Sequence, residues 1–406
     1  EAGQGFMNLA AAAAGRLRGG AGKVSVIASA LFGSISGSAS ANVASTGAVT
    51  IPAMIRMGYP PRIAAAVEAV ASSGGQIMPP LMGAGAFVMV ELTGTPYTQI
   101  ITAALLPALL YFAVVWFGID AYARRLDLGG LPPEQQPAPK EVLVTSGFFM
   151  VPFRVLLGAM FWVGYTPQYS AALAIIAGAV LLLTGADMRL DLRRAADRAE
   201  VALIGAARQV SLIAAIILCA SIIIGVLAMT GLGVKITSLI LSVSNGNLWP
   251  SLLLTALACL VLGMEVPTTA AYVICVSVAG PALTALGLEP LQAHLFVFWF
   301  ALLSTITPPV CGAVFIAAGM AQENWLRVAL TAMTLGVGLY LIPLGMIARP
   351  DLIRLADAPG SALLSAALVG GGCVVISYAL IGLRRPMQTG AGLLLGFAMI
   401  FVSWGG

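Results

Sequence analysis

Long apolar stretches alternate with short polar turns along almost the whole chain. A helix needs about 20 apolar residues to cross a bilayer. Eight stretches approach or exceed this length: residues 63–92, 97–122, 142–165, 169–185, 210–229, 291–320, 325–348 and 361–383. A ninth stretch, at 391–404, is barely long enough. Because a helix satisfies its own backbone groups within lipid, the pattern predicts an all-α polytopic membrane protein.

Two further apolar regions, residues 24–55 and 248–286, are broken by Gly, Pro, Ser and Thr. A break in the backbone at membrane depth is tolerated only where it is buried in protein or lines a cavity. We therefore expect each region to form a re-entrant hairpin that enters and leaves on one side. The stretches at 63–92 and 291–320 are also interrupted, each before a Pro-Pro pair.

The Pro-Pro pairs belong to an internal repeat. Pro79 and Pro308 lie 229 positions apart (308 − 79). The same offset aligns five more pairs without a gap: Pro52 with Pro281, Gly58 with Gly287, Pro61 with Pro290, Gly83 with Gly312, and Ala84 with Ala313. Self-similarity at a fixed offset indicates repeated architecture. Each copy consists of a broken hairpin, a Gly/Pro turn and an interrupted helix.

The distribution of charge predicts how the two copies are oriented. The turn of the first copy carries Arg56 and Arg62, whereas the turn of the second carries Glu289. Further basic residues precede the first hairpin: Arg16, Arg18 and Lys23. No Lys or Arg occurs between Lys235 and Arg327. Since cytoplasmic loops are enriched in Lys and Arg, we expect inverted repeats, with the first hairpin entering from the cytoplasm.

Composition excludes several classes of protein. Of the 406 residues, 60% are hydrophobic and 9% are charged, whereas soluble domains average about 45–50% apolar and about 25% charged. A soluble enzyme and a disordered protein are therefore excluded. The net charge of +4 implies no nucleic-acid partner. One histidine, and five cysteines without CxxC spacing, make a metal cage improbable. We expect no cofactor beyond a coupling ion.

The pattern divides the chain into four parts. Residues 1–93 hold the first repeat, and residues 94–209 hold scaffold helices, a Pro-rich linker and an amphipathic connector. Residues 210–322 hold the second repeat, and residues 323–406 hold C-terminal transmembrane helices. The connector, at 187–208, carries both charge signs at helical spacing and is expected on the membrane surface. Residue 1 opens directly into a helix without Met, so we expect a preceding segment.

Inverted repeats with broken helices are typical of secondary transporters, which bind substrate and ions near the bilayer midplane. A broken helix exposes carbonyl groups that can replace the hydration shell of a cation. The N-terminus of its second half attracts an anion. The four breaks are rich in hydroxyls: residues 33–42, 72–80, 262–269 and 304–309. This repetition favours an ion and substrate site over the close packing of small residues alone.

Several of these segments also carry a family resemblance. Residues 32–54, 67–89, 164–167, 262–274 and 304–310 resemble the large membrane subunit of tripartite ATP-independent periplasmic (TRAP) transporters. The variants SGGQIMPP and PTTAAY, and the tail after Pro350, resemble its TAXI-type fused permeases. The resemblance covers residues 16–349. It implies an elevator-type secondary transporter of the ion-transporter superfamily, located in a bacterial inner membrane.

The resemblance further implies partners and site residues. A periplasmic TAXI-type substrate-binding protein would deliver an organic acid, Na⁺ or H⁺ would drive uptake, and a small four-helix membrane subunit would be fused upstream. One sodium site would use Ser36, Ser38, Gly74, Gly75, Ile77 and Met78, and the other Gly263, Thr268, Thr305 and Thr307. Substrate contacts are expected from Ser40, Asn42, Gln76 and Thr269.

Two carboxyl groups carry separate hypotheses. Glu265, where the family more often has a small residue or Pro, is a candidate for proton coupling, or else a charge facing water at the hairpin tip. Glu68 is expected to pair with a basic group. A passive channel and a non-transporting assembly subunit stay open as alternatives. An intramembrane enzyme is the weaker rival, because acid–base partners are nearly absent from the sequence.

Overall fold

The computed structural model describes residues 2–183, 192–264, 268–383 and 385–402, and every regular element within these ranges is helical. The first third of the chain forms six helices: α1 (Ala2–Ala14), α2 (Gly20–Ser36), α3 (Ala39–Arg56), α4 (Pro61–Gly74), α5 (Gly85–Thr93) and α6 (Tyr97–Leu126). The prediction of an all-α protein is confirmed.

The middle of the chain forms the next six helices. They are α7 (Pro139–Leu157, extended by a π-helical turn at Gly158–Trp162), α8 (Pro167–Leu182), α9 (Leu192–Thr230), α10 (Leu232–Val243), α11 (Leu248–Leu262) and α12 (Thr268–Ala285). The last six are α13 (Pro290–Leu303, followed by a 3₁₀ turn at Ser304–Ile306), α14 (Gly312–Ala321), α15 (Trp325–Leu335), α16 (Val337–Ala348), α17 (Pro359–Ile381) and α18 (Pro386–Phe401).

Five described helices are long and apolar enough to cross a membrane, and α15 with α16, bent by 43° at their junction, would make a sixth span. The exposed apolar side chains of α7, α8 and α9 face outward, as expected of surfaces that meet lipid or another subunit. The chain is therefore a multi-pass membrane protein. Its core lies around α4, in which every residue from Ile63 to Gly74 is buried.

The internal repeat is visible in the bounds of the helices. Helices α3 and α12 end 229 residues apart (285 − 56), and α4 and α13 both begin and end 229 residues apart (290 − 61 and 303 − 74). The turns that join them use Gly58 and Gly287, with φ of 90° and 91°, a region that favours glycine. Proline then opens α4 and α13, where its missing N–H costs no hydrogen bond.

The helix pairs α2–α3 and α11–α12 are called here the first and second hairpins. The turn after the first hairpin leads to Arg62, which shares a groove with Arg327 at the start of α15. The turn after the second leads to Gln292, whose amide donates to the Met346 carbonyl near the end of α16, at 2.9 Å. The two turns therefore contact opposite ends of the α15–α16 pair.

Cysteines introduced at the two turns are expected to be labelled from opposite faces of the membrane. Arg56 and Glu289 are both exposed, so Arg56→Cys and Glu289→Cys, made in a chain without its native cysteines, should react with an impermeant maleimide. By the positive-inside rule, Arg56→Cys reacts from the cytoplasm only and Glu289→Cys from the opposite face only. Labelling of both from one face would contradict the inverted arrangement.

Two arginines that follow α16, Arg349 and Arg354, have local partners. Arg349 donates to the carbonyls of Met399, Ile400 and Val402 at the end of α18, which are the carbonyls that a helix leaves unpaired. Arg354 pairs with Glu289 at 2.5 Å. Both side chains of that pair are exposed, and such pairs contribute only about 0–1 kcal/mol.

Helix α9 differs from the expected arrangement. The sequence predicts a surface connector at 187–208 followed by a separate span, but the described part of this region is one continuous helix of 39 residues. No Pro or paired Gly interrupts residues 192–230, so the polar connector extends directly into the apolar segment. This continuity places Gln209, on the polar side of the junction, beside the cavity described next.

Candidate functional site

A cavity of about 660 Å³ lies where the breaks of the two repeats meet. Seven of the predicted site residues line it: Ser36, Ser38, Ser40, Gln76, Thr268, Thr269 and Thr305. The first four belong to the first repeat and the last three to the second. Residues predicted from two sequence segments 229 positions apart thus share one cavity, and its volume falls in the range of small-molecule sites.

Three helices begin at the wall of this cavity. The start of α3 contributes Ala39 and Ser40, Ala84 and Gly312 stand at the starts of α5 and α14, and α12 contributes Thr268 and Thr269. Helix N-termini carry a partial positive charge and unpaired N–H groups. Lys and Arg are absent from the described lining, so these termini and the neutral donors set its polarity.

Gln76 has a side-chain donor at the cavity that makes no hydrogen bond within the described residues. Its side chain is 1% exposed, and its Oε1 is in direct contact with the Thr268 hydroxyl of the opposite repeat. Its Nε2 has no hydrogen-bond partner among the described residues, and neither has the buried Ser36 hydroxyl. A buried donor left unpaired costs about 1–3 kcal/mol, so both groups have hydrogen-bonding capacity left at the cavity.

The two interrupted helices are joined beside the cavity. The hydroxyls of Ser73, at the end of α4, and Thr305, after α13, lie 3.1 Å apart. Ser304 donates to the Gly263 carbonyl at the end of the second hairpin's first helix, at 2.9 Å. These contacts connect each broken helix to the other repeat or to its own hairpin, and they fix the position of the breaks.

Glycines allow the first hairpin to touch the first interrupted helix. A Cβ placed on Gly33 would lie 2.2 Å from the Cα of Gly75, and one on Gly37 would lie 2.2 Å from the Cα of Gly83. Backbone meets backbone at both points, so no larger residue fits. This close approach explains why both segments are rich in glycine. From the sequence alone, these glycines could have served either helix packing or ligand binding.

Other predicted site residues lie outside the lining. Asn42 is fully buried, and its amide donates to the carbonyls of Ser29 and Ser72 at 2.9 and 3.3 Å. The Thr307 hydroxyl contacts that of Tyr340 at 2.6 Å. Ile77 borders a small apolar void behind the site. Gly74, Gly75, Met78 and Gly263 do not line the cavity either. Glu265 lies outside the described residues.

Several lining residues were missed by the sequence reasoning. Phe87 and Leu81 follow the first Pro-Pro pair, and Gln209, Ile213 and Ile217 come from α9. The α9 residues follow helical spacing from Gln209 (i, i+4, i+8), a signal that could have identified one face of that helix. Their proximity to the hairpins is a tertiary contact that spacing along one helix cannot reveal.

An ion in this cavity would be coordinated by oxygen atoms. The described residues contain no group of three or more His, Cys, Asp or Glu side chains able to hold a metal. Hydroxyl, amide and backbone carbonyl oxygens are the potential ligands, and hard cations such as Na⁺ accept ligands of this kind.

The fold is that of a multi-pass membrane protein with a cavity between broken, repeated helices, and hydroxyl, amide and apolar side chains line that cavity. The chain belongs to the family of the tripartite ATP-independent periplasmic transporter, DctM component, whose model matches residues 1–360. Its members are transporters and not enzymes, and they work with a periplasmic binding protein and a small membrane subunit. The predicted family and the prediction of a non-enzyme are confirmed.

Three relatives illustrate the match. The chain is 26% identical over 335 residues to the C4-dicarboxylate TRAP transporter large permease protein DctM of Pseudomonas aeruginosa, covering 80% of this chain and 75% of that protein. It is 25% identical over 350 residues to the Escherichia coli 2,3-diketo-L-gulonate TRAP transporter large permease protein YiaN, covering 84% and 78%. It is 25% identical over 343 residues to the isethionate TRAP transporter permease protein DctMQ of Oleidesulfovibrio alaskensis, covering 83% of this chain and 52% of that protein.

Proposed function

We propose that this chain is the membrane component of a secondary transporter that imports an organic acid across a bacterial inner membrane, driven by a Na⁺ gradient. A periplasmic binding protein of the TAXI type delivers the acid. The observation that carries the proposal is the contact between Gln76 and Thr268, which joins the two repeats at the cavity and leaves one amide donor unpaired.

The lining suits a carboxylate. Gln76 Nε2 supplies an unpaired N–H donor, and hydroxyls from both hairpins surround it. The starts of α3, α5 and α14 add partial positive charge, and the described lining holds no Lys or Arg. A carboxylate held in this way is stabilised by several weak donors. An ion pair with Lys or Arg would make its release slower.

A cation is suited to the C-terminal ends of α2, the first half of the first hairpin, and of α13, the first half of the second interrupted helix. Ser36 ends α2, and Thr305 follows α13, where helices leave carbonyl groups unpaired. Ser38 stands between the two halves of the first hairpin, and Thr268 begins the second half of the second hairpin. We place one Na⁺ near Ser36 and Ser38 and another near Thr268 and Thr305, close enough to the carboxylate for mutual attraction.

Ser38→Ala and Thr268→Ala are each expected to raise the half-saturating Na⁺ concentration of uptake roughly tenfold, because losing one ligand oxygen costs about 1.4 kcal/mol of cation binding. Ser146→Ala, which removes an exposed hydroxyl on α7, is the matched control and should leave it unchanged. The test is to measure uptake against Na⁺ concentration and to compare the half-saturating Na⁺ concentration of each variant with that of the wild type. Unchanged half-saturation in both cavity variants would refute the sodium assignment.

Transport itself is tested in vesicles that contain the chain with its membrane partner and its binding protein. Radiolabelled succinate, malate, pyruvate and isethionate form the first panel of substrates. Accumulation above equilibrium that needs both a Na⁺ gradient and the binding protein would support the proposal. Uptake that only equilibrates, without either requirement, would indicate a passive channel. An absence of uptake in the presence of both partners would indicate a non-transporting assembly subunit.

For the transport cycle we propose an elevator movement. The hairpins and interrupted helices hold all the lining residues except those of α9, so they can move together as one unit without rebuilding the site. Helices α7 and α8 contribute no described lining residue and act as scaffold. Helix α6 contributes no described lining residue either. We assign it to the scaffold as well, where it packs against α4, α16 and α17.

A further inference from the structure

A groove of about 280 Å³ lies on the surface between α4, α6 and α15. Arg62, at the start of α4, and Arg327, at the start of α15, both line it, and Tyr122 lines it near the end of α6. Both arginine side chains are exposed. Among the described residues, none lines both this groove and the cavity at Gln76. Two guanidinium groups thus share a groove that the proposed transport site does not use.

The two arginines of the groove have no carboxylate partner within the part of the chain that the structure describes. The carboxylates on the helices that form the groove have other partners. Asp120 on α6 bonds to Lys23 and to Arg124, each at 2.8 Å. Glu68 on α4 is fully buried, and the predicted pairing of Glu68 with a basic group is wrong. Five hydroxyls surround it instead, those of Ser25, Ser29, Thr46, Thr50 and Ser72.

The charged donors of this groove are its two guanidinium groups. The hydroxyls of Thr331 and Thr334, which also line it, donate to the carbonyls of Arg327 and Leu330, at 2.8 Å each. A hydroxyl has one proton to give, whereas a guanidinium presents five N–H donors in a planar fork. That fork matches the oxygens of a phosphate group and binds them in pairs. The groove is therefore suited to a phosphate.

The groove runs from the membrane interface into the apolar region. Arg327 and Thr334 stand seven residues apart on α15 (334 − 327), which is about 10 Å along a helix axis. Trp325, which begins α15, and Tyr122 are residues of the kind that lie at the boundary between lipid and water. Leu330, on the wall of the groove, is 56% exposed. A ligand here meets positive charge at one end and apolar surface along its length.

Charge and contacts assign the groove to the cytoplasmic side. The turn that leads into α4 carries the exposed Arg56. In the same turn the Tyr59 hydroxyl donates to the Gly19 carbonyl at 2.8 Å, and the Gly19 N–H donates to the Leu128 carbonyl at 3.2 Å. Arg18 and the end of α6 therefore lie on this side too, and the positive-inside rule makes it the cytoplasmic one. Basic pockets between transmembrane helices on this side bind the headgroups of anionic lipids.

We propose that this groove binds an anionic phospholipid of the cytoplasmic leaflet. The phosphodiester lies between Arg62 and Arg327, and one acyl chain follows α15 past Leu330. The headgroup carries no ammonium, as in phosphatidylglycerol, because the two guanidinium groups would repel a second cation. The bound lipid joins the start of α4 to α6 and α15. This site does not depend on the proposed transport function, and its test needs no substrate.

Native mass spectrometry of the purified full chain, titrated with lipid in an uncharged detergent, tests the site. The wild type is expected to bind dioleoyl phosphatidylglycerol about tenfold more tightly than dioleoyl phosphatidylcholine. The double variant Arg62→Gln, Arg327→Gln should bind the two lipids equally. The double variant Arg18→Gln, Lys140→Gln removes two exposed positive charges outside the groove and, as the matched control, should keep the preference.

Four outcomes would overturn the proposal. Equal affinity of the wild type for the two lipids would show that the charge of the headgroup is not recognised. A preference that persists in the groove variant belongs to another site, and one lost equally in the control variant reflects surface charge in general. Glycerol phosphate, which has no acyl chain, is the fourth ligand test. If it binds as tightly as phosphatidylglycerol, the groove holds a soluble anion and not a lipid.

Thermal unfolding gives a second readout, because a ligand that binds only the folded protein stabilises it. Phosphatidylglycerol should raise the unfolding temperature of the wild type by several degrees more than phosphatidylcholine does, and the groove variant should lose this difference. If the double variant does not fold, Arg62→Gln and Arg327→Gln are measured singly, and each should bind phosphatidylglycerol several-fold more weakly than the wild type. Unchanged affinity in both single variants would also overturn the proposal.

Discussion

Replacing Gln76 by leucine is expected to lower the rate of substrate uptake roughly tenfold to a hundredfold, while the protein still folds. The substitution removes the unpaired amide donor of the cavity and leaves the Thr268 hydroxyl without its contact in the opposite repeat. A lost hydrogen bond to a charged ligand costs about 1.5–3 kcal/mol, and each 1.4 kcal/mol is a factor of ten. Uptake in vesicles, with the amount of folded protein measured in parallel, gives the result.

The other glutamine of the cavity provides the matched control. Gln209 also lines the chamber, but it is exposed and comes from α9, so Gln209→Leu should change uptake much less. Gln76→Glu, which is nearly isosteric, should be at least as harmful as Gln76→Leu because it sets a negative charge beside the substrate carboxylate. Equal uptake by wild type, Gln76→Leu and Gln209→Leu would show that the acid does not bind at Gln76.

Gly33→Ala is expected to destabilise the protein by about 3 kcal/mol and to abolish uptake. The added Cβ would lie 2.2 Å from the Cα of Gly75, and backbone cannot move aside as the end of a flexible side chain can. The first hairpin would be pushed away from the interrupted helix, and the cavity wall at Ser36 and Gln76 would open. A fall of several degrees in the unfolding temperature of the purified protein would accompany the loss of uptake.

Gly147→Ala is the matched control for this substitution. A Cβ at Gly147, on α7, would meet nothing within 4 Å, and alanine is favoured over glycine in a helix by roughly 0.5–1 kcal/mol. The control should therefore be neutral or slightly stabilising. If Gly33→Ala matched it in unfolding temperature and in uptake, the close approach of the two backbones would not be needed for the fold or for the site.

The broken helices show how much of the site could be predicted from the sequence. Gly and Ser interrupt an apolar run at Ser36–Ser38, and the structure ends α2 and begins α3 there. Such residues favour helix ends because their side chains or missing N–H groups compete with helical hydrogen bonds. The choice between a packing and a binding role could not be made there, since both roles use small and hydroxylated residues.

Asn42 and Glu68 show which contacts could not be predicted from the sequence. Both are polar residues in apolar helices, and such residues are by default interpreted as functional. Asn42 lies behind the cavity and serves backbone carbonyls, and Glu68 meets hydroxyls instead of a basic group. Helical spacing shows which residues share a face of one helix, but not which face of another helix lies opposite.

By itself, the sequence determined the helical class, the interrupted segments and the 229-residue repeat, because lipid requires internally hydrogen-bonded helices and a periodic pattern is local. Only the tertiary structure decided that Gln76 meets Thr268 across the repeats, that α9 closes the chamber, and that five hydroxyls enclose Glu68. These contacts join residues up to 192 positions apart. They depend on how helices pack in three dimensions, which no pattern along one segment specifies.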